Sequence, residues 1–221
     1  MIQLNERVAE ETGIHIGDGS MSIYNGIPCY TVACNANKER EYVEKYIAPL
    51  IKEVYGIKPK LRMWSEGAYG FRIVSREVIE FKNKELGLPL GPKKEIEIPF
   101  KIIKNMNLAK KCIRGLFDTD GCVYIEEKKT GPYPRIELHL SSKKVVKQVS
   151  EILKDLGLTC SIWEHKYPNK KNWSNTYTVC TRGTKNLNIW MKQIGFKNPK
   201  NIKKVLAFTG RILYAERSLA K

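Results

Sequence analysis

Hydrophobic and polar positions run twice through the same series of periods along this chain. Residues 5–17 place Val8, Ala9, Thr12 and Gly13 on one face at helical spacing. Residues 18–24 and 27–35 then alternate as strands, joined by a turn with Asn25, Gly26 and Pro28. Residues 38–55 return to the helical period. Tyr42, Val43, Tyr46, Ile47, Leu50 and Val54 form the apolar face, and Gly56 is the stop. Residues 60–65 and 69–76 predict a second strand pair, and 77–86 a helix ending at Gly87.

The second half repeats this order. Residues 109–117 read as helix, 121–127 and 135–141 as strands, and 143–156 as a helix stopped by Gly157. Residues 160–165 and 175–182 are strands, and 184–194 is a helix stopped by Gly195. Landmarks keep a near-constant offset: 120 − 18 = 102, 157 − 56 = 101 and 195 − 87 = 108. So long a period is duplication of an αββαββα unit, not a solenoid. The expected organisation is a first half over 1–94, a linker over 95–107 with Ile98, Pro99 and Phe100, a second half over 108–198, and a basic helical tail over 199–221. Lys200, Lys203, Lys204, Arg211, Arg217 and Lys221 supply the tail's charge.

Charge narrows the choice of partner. The 221 residues carry a net +16, which favours a polyanion because each neutralised phosphate releases counterions. The excess is uneven: 16 basic − 14 acidic = +2 over 1–107, and 23 − 9 = +14 over 108–221. No apolar run approaches the roughly 20 residues of a membrane span. The first residues lack the basic flank and apolar stretch of a signal peptide, so a cytoplasmic location is expected. The cysteines form no C-x-x-C pair and the histidines do not cluster beside them, which argues against zinc and for reduced core thiols.

Candidate chemistry lies in two acidic-glycine segments, residues 11–19 and 113–121. Gly13 and Gly115 each stand five residues before the final aspartate. Glycine inside a helix costs roughly 1 kcal/mol against alanine, so it calls for a packing reason such as close approach of two helix backbones. Two such helices would bring Asp18 and Asp120 together at a seam between the halves. Paired carboxylates at the negative ends of two helices call for a cation, and hard divalent cations prefer oxygen ligands.

Residues 113–121, Ile-Arg-Gly-Leu-Phe-Asp-Thr-Asp-Gly, resemble the LAGLIDADG motif of homing endonucleases, with seven of nine positions identical or similar. Residues 11–19 look like a degenerate copy that keeps Gly13, Asp18 and Gly19, and the element order extends the resemblance over nearly the whole chain. It implies an α+β fold of two pseudo-symmetric halves, their antiparallel sheets forming a DNA-binding saddle with the motif helices at the centre. It also implies a monomer that cuts double-stranded DNA at a long site with Mg²⁺, with Mn²⁺ or Ca²⁺ substituting in binding, and leaves short 3′ overhangs. Asp18 and Asp120 then hold metal, the carbonyls of Gly17 and Thr119 face metal or water, and Arg76 and Arg182, ending equivalent strands, assist catalysis. The earlier motif aspartate is Asp118 in one copy and Ile16 in the other. His15 reads as a satisfied interface histidine, and the Asp18 centre is the one expected to be weaker.

Strand alternation sorts the faces. Met21, Ile23, Val32, Cys34, Leu61, Met63, Phe71 and Ile73 point inward, as do Val123, Ile125, Ile136, Leu138, Leu140, Ile162, Tyr177 and Val179. Outward residues become DNA contacts under the resemblance. They are Ser22, Tyr24, Thr31, Asn35, Lys60, Arg62, Trp64 and Arg72 in the first half. In the second they are Tyr124, Glu126, Lys128, Arg135, Glu137, His139, Ser161, Trp163, His165 and Thr178. An RNA maturase or a catalytically inactive DNA-binding regulator of the same fold is the alternative, and a protein-interaction module is the third class.

Overall fold

The structure, a computed structural model, describes residues 2–64, 67–93, 96–168 and 174–219, with side chains to residue 210. The strand and linker ends expected at Ser65 and Glu95, the tail's Lys221, and the side chains of Arg211 and Arg217 lie outside the described residues.

Each half follows the duplicated order. The first comprises α1 (Glu6–Asp18), β1 (Gly19–Tyr24), β2 (Ile27–Asn35), α2, β3 (Arg62–Met63), β4 (Ala68–Val74) and α3. Helix α2 runs from Ala36–Tyr42 through a π turn at Val43–Ile47 into Ala48–Tyr55. Helix α3 runs from Arg76–Glu80 into a π turn at Phe81–Glu85. A short α4 (Phe100–Ile103) lies in the linker. The second half comprises α5 (Met106–Thr119), β5 (Gly121–Lys128), β6 (Gly131–Leu140), α6 (Lys143–Asp155), β7 (Cys160–His165), β8 (Thr176–Arg182) and α7 (Thr184–Gln193), followed by α8 (Pro199–Leu219). Both sheets are antiparallel, in orders β1-β2-β4-β3 and β5-β6-β8-β7.

Equivalent residues start equivalent helices. Asn5 caps α1 by accepting from the N–H groups of Arg7 and Val8, and Asn105 does the same for α5 with Asn107 and Leu108. Asn35 and Ser142 cap α2 and α6. Gly13 and Gly115 set the centre of the molecule. A Cβ at Gly13 would stand 1.9 Å from the Cys112 carbonyl oxygen, and one at Gly115 2.1 Å from that of Glu10. Helices α1 and α5 therefore touch backbone to backbone, and their C-terminal ends arrive together.

Several inward positions are not covered. Ile23, Met63 and Ile162 are 63%, 54% and 42% exposed. They lie near the end of β1 and on the edge strands β3 and β7, so alternation gives them the inner side without a helix above them. The tail is docked. Val205 and Phe208 are buried, and Asn201 accepts from the Val123 N–H at 3.2 Å while donating to the Phe117 carbonyl at 3.3 Å. Among the described residues no helix is long and apolar enough to cross a membrane, and all six cysteines are free thiols.

Candidate functional site

Asp18 ends α1 and Asp120 follows α5, so the glycine contact places both carboxylates at one seam. A Cβ at Gly17 would meet Thr119 Oγ1 at 2.1 Å and Asp120 Oδ2 at 3.4 Å. Burial and then the Asp120 carboxylate raise Asp18 to about 7, against a smaller opposing hydrogen bond with the Cys34 thiol. Burial also raises Asp120, with Lys93 and Lys200 opposing. Asp18 Oδ2 is buried with no hydrogen-bond partner. Asp18, Glu39 and Cys34 offer ligand atoms within 4.8 Å of one another. Burial and Asp18 hold the Cys34 thiol in its neutral form, so the donors for an ion here are oxygens. An unpartnered carboxylate oxygen and two acids raised by burial fit a hard divalent cation, which would offset both penalties. On the Asp120 side a cavity of about 100 Å³ is lined by Gly17, Lys93, Asp120, Leu140, Ser141 and Ser142.

The basic residues at this seam are lysines. Lys93 Nζ donates to the carbonyls of Ile16 (2.9 Å), His15 (3.4 Å) and Gly17. Lys200 Nζ donates to the Thr119 carbonyl at 2.8 Å and to Glu39 Oε1 at 2.6 Å. The carbonyls of Gly17 and Thr119, expected to face metal or water, thus each accept from a lysine. The two lysines are duplicated counterparts: Pro92-Lys93 and Pro199-Lys200 repeat at 200 − 93 = 107, in line with the glycine stops. That repeated Pro-Lys pair was the available signal.

Arg76 and Arg182 are elsewhere. Arg76 is the first residue of α3 and lines a groove with Ile2, Leu4 and Phe81. Strand β4 pairs Tyr69 with Cys34 at the aspartate end and Val74 with Cys29 at the other, so Arg76 lies past the remote end. Arg182 pairs with Arg135, whereas Leu140, beside Asp120, pairs with Tyr177. Five residues of strand, roughly 17 Å, separate those ends. Arg182 instead stacks over Trp163, 5.4 Å from the ring centroid.

Asp118 shows what the earlier motif aspartate does. Its oxygens accept from the N–H groups of Lys197 (2.8 Å) and Asn198 (3.1 Å), which fixes the turn that carries Lys200. Ile16 cannot do this for Lys93. His15 is fully buried and stacks on Tyr30, but neither ring nitrogen has a partner, so it is not the satisfied histidine expected. Burial, then Lys82 and Lys93, hold it well below the usual imidazole range and keep it neutral.

The two outer sheet faces differ in chemistry. In the first half Arg62 lies 3.8 Å from the Trp64 ring centroid. Arg72 lies 4.9 Å from Trp64 and 5.8 Å from Tyr24, and it donates to Thr31 Oγ1 at 3.3 Å. Ser22 and Asn35 are exposed on this side; Lys60 is exposed but precedes the strand. In the second half Glu126 pairs with Lys128 and Arg135 at 3.7 Å each, and Glu137 pairs with Arg135. His139 Nδ1 lies 2.7 Å from Thr178 Oγ1, which lies 3.1 Å from His165 Nε2, and Trp163 Nε1 donates to that same nitrogen at 2.7 Å. Tyr124 and Ser161 are exposed. Thr178 shares this outer face but is fully buried beneath the two histidines, so it supports them and is not itself exposed.

Residues 107–195 match the family model for a LAGLIDADG-like domain. Curated relatives include glutamine–fructose-6-phosphate aminotransferase (isomerizing) from Methanocaldococcus jannaschii, 24% identical over 90% of this chain and 17% of the relative. The replication factor C small subunit of the same organism is 28% identical over 91% of this chain and 10% of the relative, and a DNA polymerase from Thermococcus litoralis is 24% identical over 89% and 11%. The chain thus spans between a tenth and a sixth of the length of these relatives. Among solved structures, I-DmoI in complex with DNA and Ca superposes with a TM-score of 0.57 at 19% identity, covering 86% of this chain and 88% of that one. I-SmaMI bound to uncleaved DNA with calcium ions gives 0.62 at 11% identity, covering 98% and 93%. The LAGLIDADG meganuclease I-AabMI bound to uncleaved DNA gives 0.58 at 13%, covering 96% and 93%. The chain as a whole thus has the two-half fold of these solved structures, and the match to the LAGLIDADG-like model falls in its second half.

Proposed function

We propose that this chain is a monomeric, site-specific endonuclease that cuts both strands of DNA at a long target. The observation that carries the reading is the pair Asp18 and Asp120. They are brought together by two glycine-packed helices, with one carboxylate oxygen buried and unpartnered. Asp18 and Asp120 would hold divalent cations, with Mg²⁺ the expected ion. Such cations supply Lewis acidity at a phosphate and make water a stronger nucleophile at neutral pH. Lys93 and Lys200 bring ammonium charge to the same two turns, where it can offset charge gathering on phosphate oxygens. Arg62 and Arg72, pre-ordered on Trp64, and the Arg135–Glu137–His139 row offer donors and acceptors to a duplex groove. Three relatives with unrelated names share this one region, which supports a self-contained module carried within longer chains, as intron or intein homing requires.

The test is a cleavage screen of a randomised DNA library with Mg²⁺, repeated with Asp18→Asn and Asp120→Asn. Cutting by the parent and none by either variant is expected. Undiminished cutting by both variants, or salt-sensitive binding without any cutting by the parent, overturns the reading; the latter would indicate a DNA-binding regulator.

A further inference from the structure

The two lysines at the seam are held differently. Lys200 receives a carboxylate: Glu39 Oε1 accepts from its Nζ at 2.6 Å and from Asn198 Nδ2 at 3.0 Å. Glu39 Oε2 accepts from the Asn35 N–H at 3.2 Å, and the side chain is only 9% exposed. The glutamate belongs to the first half, the asparagine to the end of the second and the lysine to the tail that follows it, so the contact crosses the molecule. Among the described residues Lys93 hydrogen-bonds only to backbone carbonyls. The duplication explains the difference. The helix caps Asn35 and Ser142 are counterparts at 142 − 35 = 107, the same offset as the lysines. The residue at that offset from Glu39 is Val146, buried and apolar.

We propose that Glu39 is a positioning residue that fixes Lys200 at the Asp18 side of the seam, so that the two centres depend unequally on their lysines. Charge-assisted hydrogen bonds are short and strong, and a second oxygen tied to Asn35 leaves the glutamate little freedom to release its partner. Lys200 therefore arrives already placed. Among the described residues Lys93 has no carboxylate hydrogen bond of this kind: it is held by three backbone carbonyls and by the charges of Asp120 and Asp18. Glu39 also lies within 4.8 Å of the ligand atoms of Asp18 and Cys34, so it sets the charge that Asp18 faces.

The strand-cleavage part of this inference rests on the endonuclease reading; the positioning part does not. Two measurements on Glu39→Gln separate them. The first is amine-reactive labelling followed by mass spectrometry, without DNA. Lys200 should label about tenfold faster than in the parent, the scale of one lost charge-assisted hydrogen bond, with Lys93 unchanged. An unchanged Lys200 rate overturns the proposal. The second is the rate of cutting each strand of a selected target. One strand should slow about tenfold, and it should be the strand that Lys200→Met leaves uncut. Equal slowing of both strands together with a lowered Tm would show a merely structural role and overturn it. A parent that cuts no DNA would remove the endonuclease reading, while the labelling result still decides whether Glu39 places Lys200.

Discussion

Behind Asp120 the core is apolar, and behind Asp18 the same positions are polar, two of them an ion pair. Ile113, Phe117 and Trp190 pack together in the second half, with Phe117 and Trp190 ring centroids 4.6 Å apart. Their counterparts at 113 − 11 = 102, 117 − 15 = 102 and 190 − 82 = 108 are Glu11, His15 and Lys82. Lys82 Nζ donates to Glu11 Oε2 at 2.6 Å with both side chains fully buried. Tyr55 donates to the same oxygen at 2.7 Å, and the ammonium lies 4.3 Å from the Tyr30 ring centroid. One scaffold thus supports its two aspartates in two ways, by shape in one half and by a compensated ion pair in the other. The second way is fragile, because a buried charge tolerates no missing partner.

Breaking that pair should give the largest effect. Lys82→Met leaves Glu11 buried and uncompensated and should cost about 3–5 kcal/mol in urea unfolding. The double variant Glu11→Met/Lys82→Met, which makes the first half resemble the second, should recover most of that loss. If the double variant is no better than the single one, the ion pair is not what distinguishes the halves. Gly115→Ala should cost about 3 kcal/mol, since its methyl would meet backbone, which cannot move aside as a side chain can. Gly13→Ala should match it, because the contact is reciprocal; a large gap between the two would show that the halves do not share the seam equally.

The pH dependence comes next. Burial, together with Asp120, raises Asp18 to about 7, and burial raises Asp118 to about 7, each from an ordinary value of 3.8. A carboxyl raised on folding contributes stability that is full below pH 3.8 and lost as pH climbs through 7. Metal-free protein should therefore lose stability from pH 5 to pH 8. Asp18→Asn should remove about 2 kcal/mol of that slope after local relaxation is allowed for. A parallel pH profile in the variant would contradict the burial of Asp18. The smallest effect belongs to the sheet faces. Arg72→Ala should lower the salt dependence of DNA binding by about one counterion if the stacked guanidinium meets a phosphate, leaving the folded state almost unchanged. An unaltered slope would move that contact to a base edge.

Much of this architecture was readable from periodicity. Both αββαββα units, the glycine seam and the acidic pair follow from hydrophobic spacing and from glycines at matching places, because close backbone approach leaves a residue-level mark. The lysines were harder to read. Lys93 sits in an irregular segment and Lys200 in the first turn of α8, where periodicity says nothing about a site, and only the repeated Pro-Lys pair marked them. Arg76 and Arg182 were misplaced because a strand has two ends and alternation does not say which lies near the aspartates; hydrogen-bond register does. Glu39 carried no signal at all. It occupies a helical position that reads as solvated, and its partners Asn198 and Lys200 come from a distant part of the chain. Thr178 was placed on the correct face, but neighbouring histidines cover it.

The central claim is that Asp18 and Asp120 form one cation-holding pair. Its most direct test is the change in Tm of the DNA-free protein with Mg²⁺, Mn²⁺ or Ca²⁺ at pH 8, for the parent and for Asp18→Asn and Asp120→Asn. Binding to the folded state alone stabilises by mass action, about 2.7 kcal/mol at a hundredfold excess over Kd. The parent should gain Tm with added cation, and each single variant should lose that gain. An equal gain in both variants would place the cation elsewhere and contradict the account.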